Sequence, residues 1–323
     1  MMGGPTDRIP VGNVVSIVHE ELMDACGVYY PHAHLHAEAM AELAAAGHEI
    51  LDYDTVMPVF SVTQEAAALG CEMDWGNVET NPTVRSHPFA DTGDIRIPDG
   101  WMESQPIQVV LDALSILRRQ LGEHVAIVGK VMGPWTLSYH MMGTEEFLAT
   151  TASEPDLSLR CLHMLKHVTI EFARAQMRAG ADIICIADHA TGGMVSPLVY
   201  RDMLLPIHQE ITAEVGCPMV LHCCGDTSDR IGYFAQSGVD CYHFESHVDV
   251  TEAVKAVGGK ITLIGNINNP NVLLRGTQDD VRHASEQAIR GGVNILAPEC
   301  AVPLQTPTAN LKALVSAAQE YKP

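Results

Sequence analysis

Basic side chains are scarce in this chain and unevenly placed. Of its 323 residues, 40 are Asp or Glu and 19 are Lys or Arg, a formal net charge of -21. No Arg or Lys falls between Arg8 and Arg85, and the first lysine is Lys130. A surface of this sign repels phosphate backbones, which argues against nucleic acid and anionic membranes as partners. A site built mainly from the first third of the chain has no cation to use. There is no apolar run near the ~20 residues that a membrane-spanning helix needs. The opening MMGGPTDRIP lacks the apolar stretch of a secretion signal. No C-x-x-C pair occurs, and no Pro/Gly/Ser-rich linker or low-complexity tract interrupts the chain. The nine cysteines, an odd number thinly spread, read as reduced, cytosolic thiols, most of them small buried hydrophobes.

Hydrophobic residues make up 47% of the chain, enough for a large core. Eight runs rich in Val and Ile alternate with helical patterns: 9–16, 50–58, 124–134, 181–188, 218–225, 241–246, 261–268 and 293–300. Near-continuous apolar strands separated by helices imply a parallel sheet covered on both faces. Eight such units in one chain predict an α/β fold of the (β/α)8 TIM-barrel type, a single domain over 1–323. Helices are expected at 197–214, 227–237, 249–257 and 277–290. Residues 71–104 are rich in Pro, Gly, Asn and Asp with little periodicity. They read as an irregular excursion from the barrel, a lid or a cap.

In such a barrel, chemistry sits at the C-terminal ends of the strands. Asp188 and His189 end the fourth run, and His222-Cys223-Cys224 the fifth. Glu245 ends the sixth, Asn266 and Asn268 the seventh, and Glu299-Cys300 the eighth. Side chains alternate faces along a strand, so His222 and Cys224 converge while Cys223 points to the helical layer. Cys300 supplies a third ligand from a distant strand. One imidazole and two thiolates make a zinc set with a position left open, and their softness argues against magnesium and calcium. A structural zinc would ordinarily have four protein ligands, often from C-x-x-C loops that this chain lacks. Two thiolates leave the ion a weak Lewis acid for hydrolysis. They suit it to binding a substrate thiol and stripping its proton.

VLHCCGD (220–226), with HFES, ITLIGNINNP and ILAPECAVPLQTP after it, resembles the uroporphyrinogen decarboxylase superfamily, most closely its methylcobamide:coenzyme M methyltransferase branch. The opening GGPTDRIPV and GHEILDYDTVMPVFSVTQEAAALGCEMDWG are similar to the same family. The resemblance implies zinc ligation by His222, Cys224 and Cys300, with Glu245 in the fourth position when no thiol is bound. It places Asp188 on the same cavity. It implies methyl transfer from a methylcobamide, carried by a small corrinoid protein, to the thiol of coenzyme M, yielding methyl-coenzyme M in methanogenesis. Backbone N–H groups or Asn266 and Asn268 are candidates for holding the sulfonate. The chain departs from the pattern twice. Only four residues precede Pro5, so the helix usual before this motif is missing or the start is placed late. Glu299 also stands beside Cys300 where a small residue is common, and alternation turns it away from the thiol.

Three other readings compete. A uroporphyrinogen decarboxylase-like lyase needs arginines near the N-terminal strand, where this chain has none from 9 to 84. A related corrinoid-dependent methyltransferase would use another thiol. A non-enzymatic docking module for a corrinoid protein would hold a structural zinc and transfer nothing.

Overall fold

A computed structural model describes residues 6–321. The start of the GGPTDRIPV motif, Gly3 to Pro5, lies outside them. Seven of the eight apolar runs become parallel strands: β1 (Thr55–Val56), β4 (Ala126–Met132), β5 (Ile183–Ala187), β6 (Met219–His222), β7 (Cys241–Phe244), β8 (Thr262–Ile267) and β9 (Ile295–Pro298). They lie in the order β1-β4-β5-β6-β7-β8-β9. Almost every residue in them is buried, as expected when side chains face either the barrel interior or the helices. β2 (Glu72–Asp74) and β3 (Thr83–Ser86) form a separate antiparallel pair.

The first run, 9–16, does not form a strand of its own. It closes the barrel with a single parallel bridge, Val11 to Leu296 of β9. Leu296 N donates to Pro10 O and Gly12 N to Leu296 O. The ladder stops there because later N–H groups are taken by side chains. Asn13 N donates to Thr55 Oγ1, and Val15 N to the carboxamide of Asn13. Such local bonds compete with sheet pairing. The barrel is still closed, since Asp54 N donates to Val11 O on the other edge.

One device recurs at the N-terminal end of the barrel. Asp54, Asp182, Asp240 and Asn294 each immediately precede or open an even-numbered strand of the eight. Each donates its N–H to the carbonyl of a neighbouring strand residue: Val11, Ile127, Met219 and Leu263. Each side chain accepts the N–H of that same residue, at 2.7 to 2.8 Å. These reciprocal pairs lock the register of strands one with two, three with four, five with six, and seven with eight. Arg8 reinforces the first latch with two bonds to the Asp54 carboxylate, and Arg118 pairs with Asp182.

The helical layer follows the expected pattern with two differences. The 197–214 segment is helical but contains a five-residue π-helical stretch, Tyr200–Leu204. Of the 227–237 helix, only Ile231–Phe234 is α-helical. The flanking bonds run three residues apart, from Arg230 N to Thr227 O and from Ser237 N to Phe234 O, so tight turns replace the outer helical turns. Val250–Val257 and Gln278–Gly291 form as expected, the latter behind a Thr277/Asp280 capping box. The 71–104 excursion is less irregular than its sequence suggests. It holds β2, β3 and two 3₁₀ turns. It packs on the helix Pro134–Met142, where His140 O receives both the Cys71 thiol and His87, and Phe89 N donates to Met141 O.

Two outcomes follow. Asp240→Ala should lower the unfolding free energy by about 1–2 kcal/mol, the cost of orphaning a ladder N–H. Asp240→Asn should restore most of it, because Asn294 does the same work with a carboxamide; urea unfolding of both variants checks this. The second concerns buried histidines. Burial drives His34 down to about 3 and His140 to about 4. Between these values and ~6.5 the unfolded chain binds protons that the folded chain refuses, so stability is full above pH 7 and falls as pH drops through 6.5. His34 alone should remove about 2 kcal/mol between pH 7 and pH 5. Urea midpoints at the two pH values should differ by less in His34→Leu.

Candidate active site at the C-terminal rim

β6 pairs with β5 through Ala187–His222 and with β7 through His222–His243, which aims His222 at the barrel axis. The alternation continues past the strand end, so Cys224 points inward as well. Gly225 then turns the chain off the rim at a φ of 78°, and a Cβ there would lie 2.2 Å from Thr191 Oγ1. Cys300 arrives just after β9, its carbonyl held by the Asn13 carboxamide. His222 Nε2 lies 3.0 Å from Cys224 Sγ and 3.5 Å from Cys300 Sγ, and the two sulfurs are 3.1 Å apart. Among the described residues, this trio is the group of His, Cys, Asp and Glu donors close enough to share an ion.

The donors fit zinc. A tetrahedral site with bonds of ~2.0 Å to nitrogen and ~2.3 Å to sulfur has edges of roughly 3.5–3.8 Å. The sulfur–sulfur edge, now 3.1 Å, would open by about 0.7 Å to reach the upper end of that range. Hydrogen bonds from Cys224 and the positive field of His222 pull Cys300 well below the usual thiol range, and Cys224 is pushed well above it. His222 Nδ1 is buried with no partner, and its ring packs 4.7 Å from that of His243.

Cys223 faces the other way. It is 1% exposed, and burial first and the nearby Asp188 carboxylate second push its thiol up. Glu299 also turns from the metal trio. Its two oxygens accept Ser246 N at 2.9 Å and Asn269 N at 2.7 Å, tying the loops after β7 and β8 to the base of Cys300.

Three expected residues sit differently. Glu245 is outside the trio and its carboxylate faces His247 Nδ1 at 3.3 Å. Asn266 and Asn268 do not line the cavity at all. Asn266 donates to the Val248 carbonyl, and Asn268 donates to Ser246 Oγ while accepting Asn271 N. Their amides take part in shaping the loops after β7 and β8.

The cavity over the trio is about 140 Å³, lined by Val15, Phe60, Val62, Met132, Tyr139 and Ala187 with Lys130, Thr136, Asp188 and His189. Asp188 is buried and saturated: it accepts Thr136 N and Oγ1 and faces His208 Nε2 at 3.0 Å, and His208 Nδ1 meets Tyr200 OH. A side chain on Gly133 would strike it, its Cβ 2.1 Å from Asp188 Cγ. A larger cleft, about 420 Å³, opens at the other end of the barrel around Asp240 and Asn294, where no metal-donor cluster gathers among the described residues. Sequence reasoning missed Lys130. The signal was available: a lone lysine inside the apolar run 124–134, two residues before Met132 and hence on the same face.

Comparison with known proteins agrees with this geometry. The chain matches the uroporphyrinogen decarboxylase (URO-D) family over residues 1–321. It is 34% identical over 322 residues to a methylcobamide:CoM methyltransferase MtaA of Methanosarcina barkeri, covering 99% of this chain and 95% of that protein. It is 30% identical over 321 residues to a methylated-thiol–coenzyme M methyltransferase of Methanosarcina mazei, covering 99% and 87%. A solved methyltransferase structure from Methanosarcina mazei superposes with a TM-score of 0.95 at 32% identity, covering 99% of this chain and 96% of that one. The chain therefore belongs to the uroporphyrinogen decarboxylase (URO-D) family, on its methylcobamide:CoM methyltransferase branch.

Proposed function

We propose that this enzyme moves a methyl group from a methylcobamide, carried by a small corrinoid protein, to the thiol of coenzyme M. The observation that carries this is the trio of His222, Cys224 and Cys300 at the floor of an apolar cavity. The relatives' activities point the same way. A zinc ion held by the trio would supply the Lewis acid that keeps a substrate thiol deprotonated at neutral pH. The rest falls to the chain's own side chains. Phe60, Val62 and Met132 exclude water from the sulfur, which sharpens a thiolate as a nucleophile. Asp188 fixes Thr136 and the turn at Gly133, shaping the wall beside the trio. Glu245, which faces His247 Nδ1 at 3.3 Å, would be a further ligand to such an ion when no thiol is bound.

In the transfer, sulfur forms a bond to the methyl carbon as the cobalt–carbon bond breaks, and its electron pair stays on cobalt. The thiol proton leaves to solvent. We assign residues 71–104, within a single barrel domain, to a cap. Their seat on the helix Pro134–Met142, which supplies Thr136 and Tyr139 to the cavity, supports this. No helix among the described residues is long and apolar enough to cross a membrane. No disulfide joins cysteines among the described residues, which suits a reducing compartment such as the cytoplasm.

The test is direct. Purified enzyme mixed with methylcobalamin and coenzyme M should consume thiol as the cobalamin spectrum changes. A zinc-loaded protein that consumes none overturns the assignment in favour of a docking module. Cys224→Ala should lose zinc and at least ~100-fold in rate, the scale of losing a group that stabilises the reacting charge. Cys223→Ala should keep both. Equal zinc loss in the two variants would refute the assignment of ligands by strand parity.

A further inference from the structure

Lys130 is the first lysine of the chain and one of the few charged side chains buried in the core, 2% exposed. Its place follows from β4. Lys130 pairs with Cys185 and Met132 with Ala187, which in turn pairs with His222. Lys130 therefore points into the barrel one inward-facing layer below His222, and its side chain rises to the same cavity as Cys224 and Cys300. Its backbone is held by the Gln176 carboxamide, which accepts its N–H and donates to its carbonyl.

Its ammonium group has no hydrogen-bond or ion-pair partner among the described residues. The nearby carboxylate, Glu65, accepts Met132 N at 2.7 Å through Oε1; its Oε2 is buried without a hydrogen-bond partner, and it does not line the cavity. Asp188, the carboxylate on the cavity wall, is taken up by Thr136 and His208. A buried, unpaired ammonium is costly, and an anion brought into the cavity would relieve that cost. No arginine lines the cavity.

We propose that Lys130 receives the anionic end of the thiol substrate, so that the site selects short thiols bearing a strong-acid group over neutral ones. This rests on the proposed thiol methylation and names the determinant of its acceptor specificity. The sulfur would lie over the trio and the acid group against Lys130, which lines the same chamber. The chamber, about 140 Å³, has room for a thiol with a two-carbon spacer. Lys130 acts on binding and orientation, not on the methyl transfer itself.

The experiment compares coenzyme M with 2-mercaptoethanol, which has the same spacer and no charge, using free methylcobalamin as donor. Ethanesulfonate, which has the acid group and no thiol, serves as a probe measured by calorimetry. In Lys130→Met, KM for coenzyme M should rise at least tenfold and ethanesulfonate affinity should fall by a similar factor. The kcat/KM for 2-mercaptoethanol should change less than threefold, with zinc content and melting temperature retained. If Lys130→Met does not fold, Lys130→Gln carries the same comparison. Parallel losses for both thiols would mean a structural role and overturn the proposal, as would unchanged ethanesulfonate binding. If the native enzyme methylates neither thiol, the proposed function fails. Ethanesulfonate binding to the native protein and the variant then decides the role of Lys130 by itself.

Discussion

The rim of this barrel depends on the register of its parallel strands. Alternation means that a slip of one residue would turn His222 and Cys224 outward and Cys223 inward. The register is set at the opposite end of the barrel. There Asp54, Asp182, Asp240 and Asn294 each exchange two hydrogen bonds with one residue of the preceding strand. Three of these stand two residues after a glycine of positive φ, Gly180, Gly238 and Gly292, where the chain leaves a helix for a strand. The device is therefore a local one, repeated along the chain, and it determines which face each functional side chain takes.

A second constraint acts at the rim. Loops that carry the functional groups have backbone N–H groups needing acceptors away from water. Glu299 supplies two of them, for Ser246 and Asn269, and Asn268 one for Asn271, while Asn266 donates to the Val248 carbonyl. Polar residues beside a reactive centre are thus divided between chemistry and scaffolding. Asp188 illustrates the division. It lines the cavity, yet both oxygens are engaged by Thr136 and His208.

Much of the fold was legible in the sequence. The apolar runs, their spacing and the capped helices carry the barrel pattern, because burial on both faces leaves a continuous hydrophobic signature. The first run was readable as a strand but forms only one bridge, since Asn13 and Ser16 compete for the N–H groups that would extend it. The helix expected at 227–237 shortens to 231–234 for a similar reason. Turn bonds around Thr227 and Phe234 displaced helical ones, and periodicity does not register that contest. Of the site, the opposite facings of Cys223 and Cys224 and the averted carboxylate of Glu299 were legible. The local uses of Asn266 and Asn268 were not, because a side-chain amide bound to a loop carbonyl leaves no periodic trace.

The sequence by itself determined the donor chemistry and the parity of each side chain. Those follow from residue type and the two-residue repeat of a strand, both local properties. Only the tertiary structure decided which groups meet. Cys224 and Cys300 lie 76 residues apart in sequence and 3.1 Å apart in space, and barrel closure alone brings them together. The same closure encloses Lys130 beside the trio in a chamber without a free carboxylate. Distances between strands separated in sequence depend on the tilt and closure of the whole sheet, which no single segment encodes.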